Sequence, residues 1–190
     1  MTLASDPHPD PGKLSDLSRK LIEFRDVVLA EWEKRVRSSI KEADPLALPI
    51  LINTFPVLIN YIAEALSPDF PRTSAGVTVT SVASEHGGER ARLTNYNLQA
   101  VISEYQLLRL TIYEVLKQNG VHISEEEALI LDASFDAVIK ESVTAFSLVQ
   151  SAFREQFVAA LTHDLRTPLT NVTIAAELIL RTTDLPRIYL

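Results

Sequence analysis

Residues 135–182 read FDAVIKESVTAFSLVQSAFREQFVAALTHDLRTPLTNVTIAAELILRT, and the spacing of their apolar positions decides the fold. Phe135, Ile139, Val143, Phe146, Gln150, Phe153, Phe157 and Leu161 follow one another at steps of three and four, and Val172, Ala176 and Ile179 resume the stripe. Those steps put side chains on one face of an α-helix. Kept up over this length, they describe a coiled-coil seam, which needs a second helix to cover it. A single exposed helix this long is unstable alone in water. The sequence therefore predicts a parallel homodimer along residues 140–182, and only the first half of the helix can pack on its own domain.

Working back from that stretch, Ser124 and Glu127 have the spacing of a capping box and open the long helix. Asn119-Gly120 closes the helix before it, where Leu98, Val101, Ile102, Tyr105, Leu108, Ile112, Val115 and Leu116 form a clear stripe. Residues 77–90 contain the β-branched run VTVTSV, yet nothing nearby offers a pairing strand. They are read as a helix interrupted near Gly87-Gly88. SPDFPRTSAG, residues 67–76, has loop composition. Asp44-Pro45 has the form of a helix start, an N-cap acceptor before a first-turn proline, with the helix running to about Leu66. Leu14, Leu17, Leu21, Phe24, Val28, Trp32, Val36 and Ile40 give the first amphipathic helix.

The expected fold is thus all-α, a helical bundle with a long C-terminal helix forming a parallel dimeric coiled coil. Its expected divisions are a disordered leader over 1–13, a helical domain over 14–150 and a separate helix over 151–190. Residues 45–66, PLALPILINTFPVLINYIAEAL, carry no charge before Glu64 and are long enough to cross a bilayer, which takes about 20 apolar residues. Pro45, Pro49, Pro56, Asn53 and Asn60 argue instead for a buried bundle helix, so no membrane span is expected.

Composition narrows the function. The 190 residues hold 18 basic and 25 acidic side chains, a net charge of −7, so the chain is poorly suited to neutralising nucleic acid phosphates. Cysteine is absent, which rules out disulfides and thiolate metal sites and suits a reducing cytoplasm. The start of the chain has no apolar run behind basic residues, unlike a secretory signal.

Within the long helix, LTHDLRTPLT at 161–170 serves no purely structural need. His163 and Thr167 lie one turn apart on one face, and Asp164 sits about 100° around from His163. Pro168 leaves the Asp164 carbonyl without its helical donor and should bend the helix. A neutral imidazole is a nucleophile near pH 7, with an ordinary pKa of about 6.5, and can attack a terminal phosphoryl group through one ring nitrogen. A carboxylate that orients the ring or accepts its proton raises the reactive fraction. The imidazole must be exposed, beside the seam. An ordinary helix with a surface histidine is the plain alternative.

HDLRTPL, residues 163–169, closely resembles the H-box of sensor histidine kinases, on the first helix of their HisKA dimerisation and phosphotransfer domain. The resemblance implies that His163 is the phosphoacceptor, that Asp164 assists phosphoryl transfer as an acid or base, and that Thr167 helps dephosphorylate a partner. It makes Pro168 the helix-bending position. It further implies a homodimer that passes phosphate to a response regulator receiver domain. Only 27 residues follow His163, and no glycine follows Gly120. The second bundle helix and the ATP-binding domain are therefore not in this sequence. The chain is not expected to be an active kinase alone, nor to hold a cofactor, since ATP and magnesium would come with that domain.

Residues 86–116, HGGERARLTNYNLQAVISEYQLLRLTIYEVL, resemble the N-terminal RsbRD-like domain of RsbR-type stress-signalling proteins. The match lies in His86-Gly87, Arg90 and the segment from Ile102 to Arg109, with Trp32 in an earlier helix. It implies a globin-like, all-helical sensor domain without haem. His86 is the histidine placed to be an axial ligand, and a hydrogen-bonding role is the expectation for it. Glu104, Tyr105 and Arg109 either line a small pocket or form a buried ion pair with a packed aromatic. The two resemblances together imply a cytoplasmic sensor and phosphoacceptor region of a histidine kinase. The alternative is a non-catalytic RsbR-like adaptor.

Overall fold

The computed structural model describes residues 14–67 and 75–183. The leader expected over 1–13, most of the loop expected over 67–76 and the tail beyond 183 lie outside the described residues. What is described is 86% helical with no strand, so the fold is all-α.

The first stripe is buried as read, from Leu14 through Leu17, Leu21, Val28, Trp32 and Val36 to Ile40. It is carried by two helices, α1 (Asp16–Glu23) and α2 (Arg25–Ser39), because Phe24 leaves helical geometry at φ −91°, ψ 5°. Ser15 caps α1 by accepting from the Ser18 amide, and the Ser18 hydroxyl contacts Ser67 at 2.8 Å. The start of α1 is thereby tied to Ser67, some fifty residues on.

Asp44-Pro45 does not begin a helix. Lys41–Ala43 form a short 3-10 turn, and one Arg37 guanidinium nitrogen donates to the carbonyls of Ala43, Asp44 and Leu46 at 3.2, 2.8 and 3.0 Å. The apolar stretch then makes two helices, α3 (Leu48–Ile52) and α4 (Phe55–Ala65), each with a proline in its first turn. Pro56 cannot donate to the Ile52 carbonyl, which weakens any helix arriving from Ile52 and favours a break there. The break falls at Asn53, at φ 39°, ψ −114°. Leu48–Ala65 is apolar enough for a span by length and composition. In the fold, Leu51, Phe55, Leu58, Ile59, Ile62 and Ala63 from this stretch are core residues.

α5 (Ala75–Leu93) runs through Gly87-Gly88 without the expected interruption. A Cβ on Gly87 would stand 2.0 Å from the Ser142 carbonyl oxygen, so this glycine permits close helix packing and does not act as a breaker. α6 (Leu98–Gln118) is capped by Asn97 and ends as read. Gly120 takes φ 70°, and the amides of Gly120 and Val121 return to Lys117 and Leu116 at 3.1 and 3.0 Å.

α7 (Glu125–Thr183) opens on the expected capping box, the Ser124 amide donating to Glu127 and the Glu127 amide to the Ser124 hydroxyl. Its first half buries Leu131, Phe135, Val138, Ser142 and Phe146. From Gln150 to Arg181 every residue is exposed. By internal contacts the chain divides into residues 1–149 and 150–190.

Candidate functional site

His163 projects from α7 with 82% of its side chain exposed. Its Nδ1 stands 3.3 Å from Asp164 Oδ1. A carboxylate there accepts Nδ1–H, and that tautomer leaves the Nε2 lone pair pointing into solvent. Thr162, Thr170 and Thr173 each turn their hydroxyl back to the carbonyl four residues earlier. Thr167 makes no such bond among the described residues, so its hydroxyl stays available one turn from the imidazole. Pro168 lies inside the helix, which continues through it.

The apolar stripe on this half of α7 is also open. Phe153, Phe157, Leu161, Leu165, Leu169 and Val172 are 45–65% exposed. His163 is two residues from both Leu161 and Leu165, about 200° around the helix from each. It therefore faces away from the stripe, farther round than the sequence reading placed it. Covering the stripe would leave the imidazole free.

The second cluster of ionisable groups is buried. His86, Arg90 and Glu104 are each at most 1% exposed. Glu104 Oε1 meets His86 Nε2 at 2.5 Å and Arg90 Nε at 3.0 Å, and His86 Nδ1 meets the Thr54 hydroxyl at 3.1 Å. Trp32 donates its indole N–H to the Glu104 carbonyl at 2.9 Å. The Phe55 ring stacks against His86 with centroids 4.5 Å apart, and Tyr105 stands edge-on to it at 5.2 Å.

Burial pushes the His86 pKa below its ordinary value, against the pull of Glu104. Burial alone would raise Glu104, but the neighbouring His86 and Arg90 outweigh it and hold the carboxyl below the ordinary range. The arrangement these directions describe is a neutral His86, an ionised Glu104 and a cationic Arg90, whose charges sum to zero. Both His86 nitrogens are occupied by hydrogen bonds, as a hydrogen-bonding role requires.

Of the three α6 residues singled out in the sequence, Glu104 forms the buried ion pair and Tyr105 the packed aromatic. Arg109 joins neither and points to Asp132 and Asp136 on α7, at 3.7 and 3.5 Å. Thr54 was not singled out, and Asn53 was read only as a polar residue against a membrane span. Asparagine three residues before a proline was the available signal for a corner there.

An exposed imidazole beside a carboxylate, on an amphipathic helix that leaves its stripe uncovered, is an arrangement able to accept a phosphoryl group. Residues 153–190 match the family described as the His Kinase A (phospho-acceptor) domain, so a histidine kinase phosphoacceptor region occupies this end of the chain. No curated protein and no solved structure matches the chain.

Proposed function

We propose that this chain is the cytoplasmic sensory and phosphoacceptor region of a two-component histidine kinase, in which the front helices pass a signal along α7 to His163. The carrying observation is the open Nε2 of His163 beside Asp164, within the matched phosphoacceptor domain. In the reaction, Nε2 attacks the γ-phosphorus of ATP held by a separate catalytic domain with magnesium. The P–O bond to ADP breaks, ADP leaves with that electron pair, and Asp164 or water takes the Nδ1 proton. Thr167 would position a water for the reverse, hydrolytic task on a response regulator receiver domain, and Pro168 supplies local bending.

The sensory assignment of the front helices rests on the RsbRD-like resemblance of residues 86–116. A globin-like arrangement and the absence of haem belong to that same reading. The adaptor alternative keeps the fold and leaves His163 unused.

The deciding experiment supplies a histidine kinase ATP-binding domain, magnesium and γ-labelled ATP to this chain lengthened through a second bundle helix. Acid-labile, base-stable label is expected on the wild type and none on His163→Ala. Equal label on both would remove His163 from the chemistry, and no label on either would favour the adaptor.

The homodimer is supported by the open stripe. Phe157→Asp would place a charge in the seam, and the dimer dissociation constant should rise at least about 100-fold. Sedimentation across a concentration series checks this. An unchanged mass for wild type and variant would set the seam aside.

A further inference from the structure

α5 touches two distant parts of the front domain with two neighbouring sets of residues. His86, Glu89 and Arg90 share one helical stripe and grip the corner between α3 and α4. Arg90 donates to the Ile50 and Leu51 carbonyls at 2.7 and 2.6 Å, Glu89 accepts from the Asn53 amide group, and His86 meets Thr54. Those two carbonyls belong to the last turn of α3, where no helical donor follows. The corner they fix holds Asn53, which has positive φ without being glycine. Such a conformation persists when its surroundings over-determine it.

Ser84 and Gly87 meet α7. The Ser84 hydroxyl donates to Glu141 at 2.8 Å, and Gly87 lies against the Ser142 carbonyl. Tyr105, adjacent to Glu104, completes the junction through its hydroxyl to Ser142 at 3.2 Å.

We infer that the α3–α4 corner is a latch, held closed by α5, whose release loosens α7 around Ser142. The route is short and packed throughout, from the corner to the α5 stripe, from α5 through Glu104 and Tyr105, and into α7. Gly87 leaves no slack between the two helices, so α5 cannot shift at the corner without moving at Ser142. Leu48 and Ile50, 44% and 39% exposed, lie next to the latch and give it access to the surface. Asn53 is the residue on which opening depends, since its backbone is strained and its side chain is the tie to Glu89. That the loosening reaches the chemistry rests on the phosphoacceptor reading of His163, whereas the coupling between corner and helix does not.

Hydrogen–deuterium exchange tests the coupling in the whole chain. Asn53→Ala removes the tie to Glu89 and places an ordinary side chain at positive φ. Amides of residues 50–55, 84–91 and 138–149 should exchange at least about tenfold faster, with residues 28–36 of α2 changed by less than about twofold. Faster exchange confined to 50–55 would overturn the latch, and so would a uniform rise that includes α2. Should Asn53→Ala fail to fold, Asn53→Gly keeps the backbone and still deletes the tie, and the same two outcomes decide. Labelling of His163 in the lengthened chain gives a separate arm. An unlabelled wild type defeats the phosphoacceptor reading and leaves the exchange result standing.

Discussion

Glu104→Ala should destabilise the front domain by about 3–5 kcal/mol, the range for removing one partner of a buried ion pair. The carboxylate is the hub of its cluster. It takes one hydrogen bond from His86 and a bifurcated one from the Arg90 Nε–H, shared between its two oxygens. Without it, a guanidinium stays in the core with two backbone carbonyls as neutral partners, and the His86 Nε2–H has no acceptor. The cavity left by the side chain adds to the loss. Urea unfolding, followed through the single tryptophan and by helical circular dichroism, measures it. A loss below about 1 kcal/mol would mean that Arg90 is solvated and the cluster opens to water.

The same cluster fixes the sign of a pH effect. His86 titrates lower in the fold than unfolded, so its contribution is complete above its unfolded value of about 6.5 and is lost as the pH falls below that. Glu104 also titrates lower in the fold, so its contribution is complete above about 4.3 and is lost at more acid pH. Both act in one direction. The wild type should weaken as pH drops below about 6.5 and again below about 4.3; Glu104→Ala should keep the first loss, since the missing carboxylate was pulling the His86 pKa up, and should lack the second.

The two adjacent glycines of α5 should respond to alanine with opposite signs. In a helix interior alanine is favoured over glycine by about 0.8–1 kcal/mol. At Gly88 the nearest atoms to a new Cβ are the tip of the Arg92 side chain at 3.1–3.5 Å, and Arg92 is exposed and able to move. Gly88→Ala should therefore gain a few tenths to about 1 kcal/mol. At Gly87 the obstacle is the backbone of α7, with carbonyl oxygen, carbon and Cα of Ser142 at 2.0, 2.7 and 2.9 Å. Relief requires two helices to part, and overpacking of that kind costs about 1–3 kcal/mol. It also strains the Tyr105–Ser142 hydrogen bond. Gly87→Ala should lose up to about 2 kcal/mol net. Thermal unfolding of the two variants side by side checks this, and stabilisation by both would refute the close approach.

Local, periodic signals were readable in the sequence. The stripes of α2, α6 and α7, the Ser124–Glu127 box and the Gly120 terminus each depend on residues within one or two turns. So does the His163–Asp164 pair. The break at Phe24 was not readable, and the one at Asn53 was signalled only by the proline three residues on, within a stripe that reads as continuous. An apolar stripe stays continuous when one residue tilts the helix carrying it, and Asp44-Pro45 was a strong start signal overruled by Arg37 binding the carbonyls around it. Gly87-Gly88 misled because glycine gives the same letter for a breaker and for a close contact, and only the position of α7 separates them. The His86–Glu104–Arg90 cluster joins α5 to α6, and its Thr54 lies 32 residues before His86. No short-range pattern signals such a meeting.

The division of α7 into a packed half and an uncovered half bears on when the phosphoacceptor exists at all. Over the packed half, burial of Phe135 and Phe146 sustains the backbone. Beyond Gln150 no such burial acts in a lone chain, and a helix without tertiary support is marginal in water. Whatever molecule covers the stripe would then supply the ordering free energy as well as the contact. The fraction of chains presenting His163 on an ordered backbone becomes subject to mass action, rising with the concentration of the covering partner.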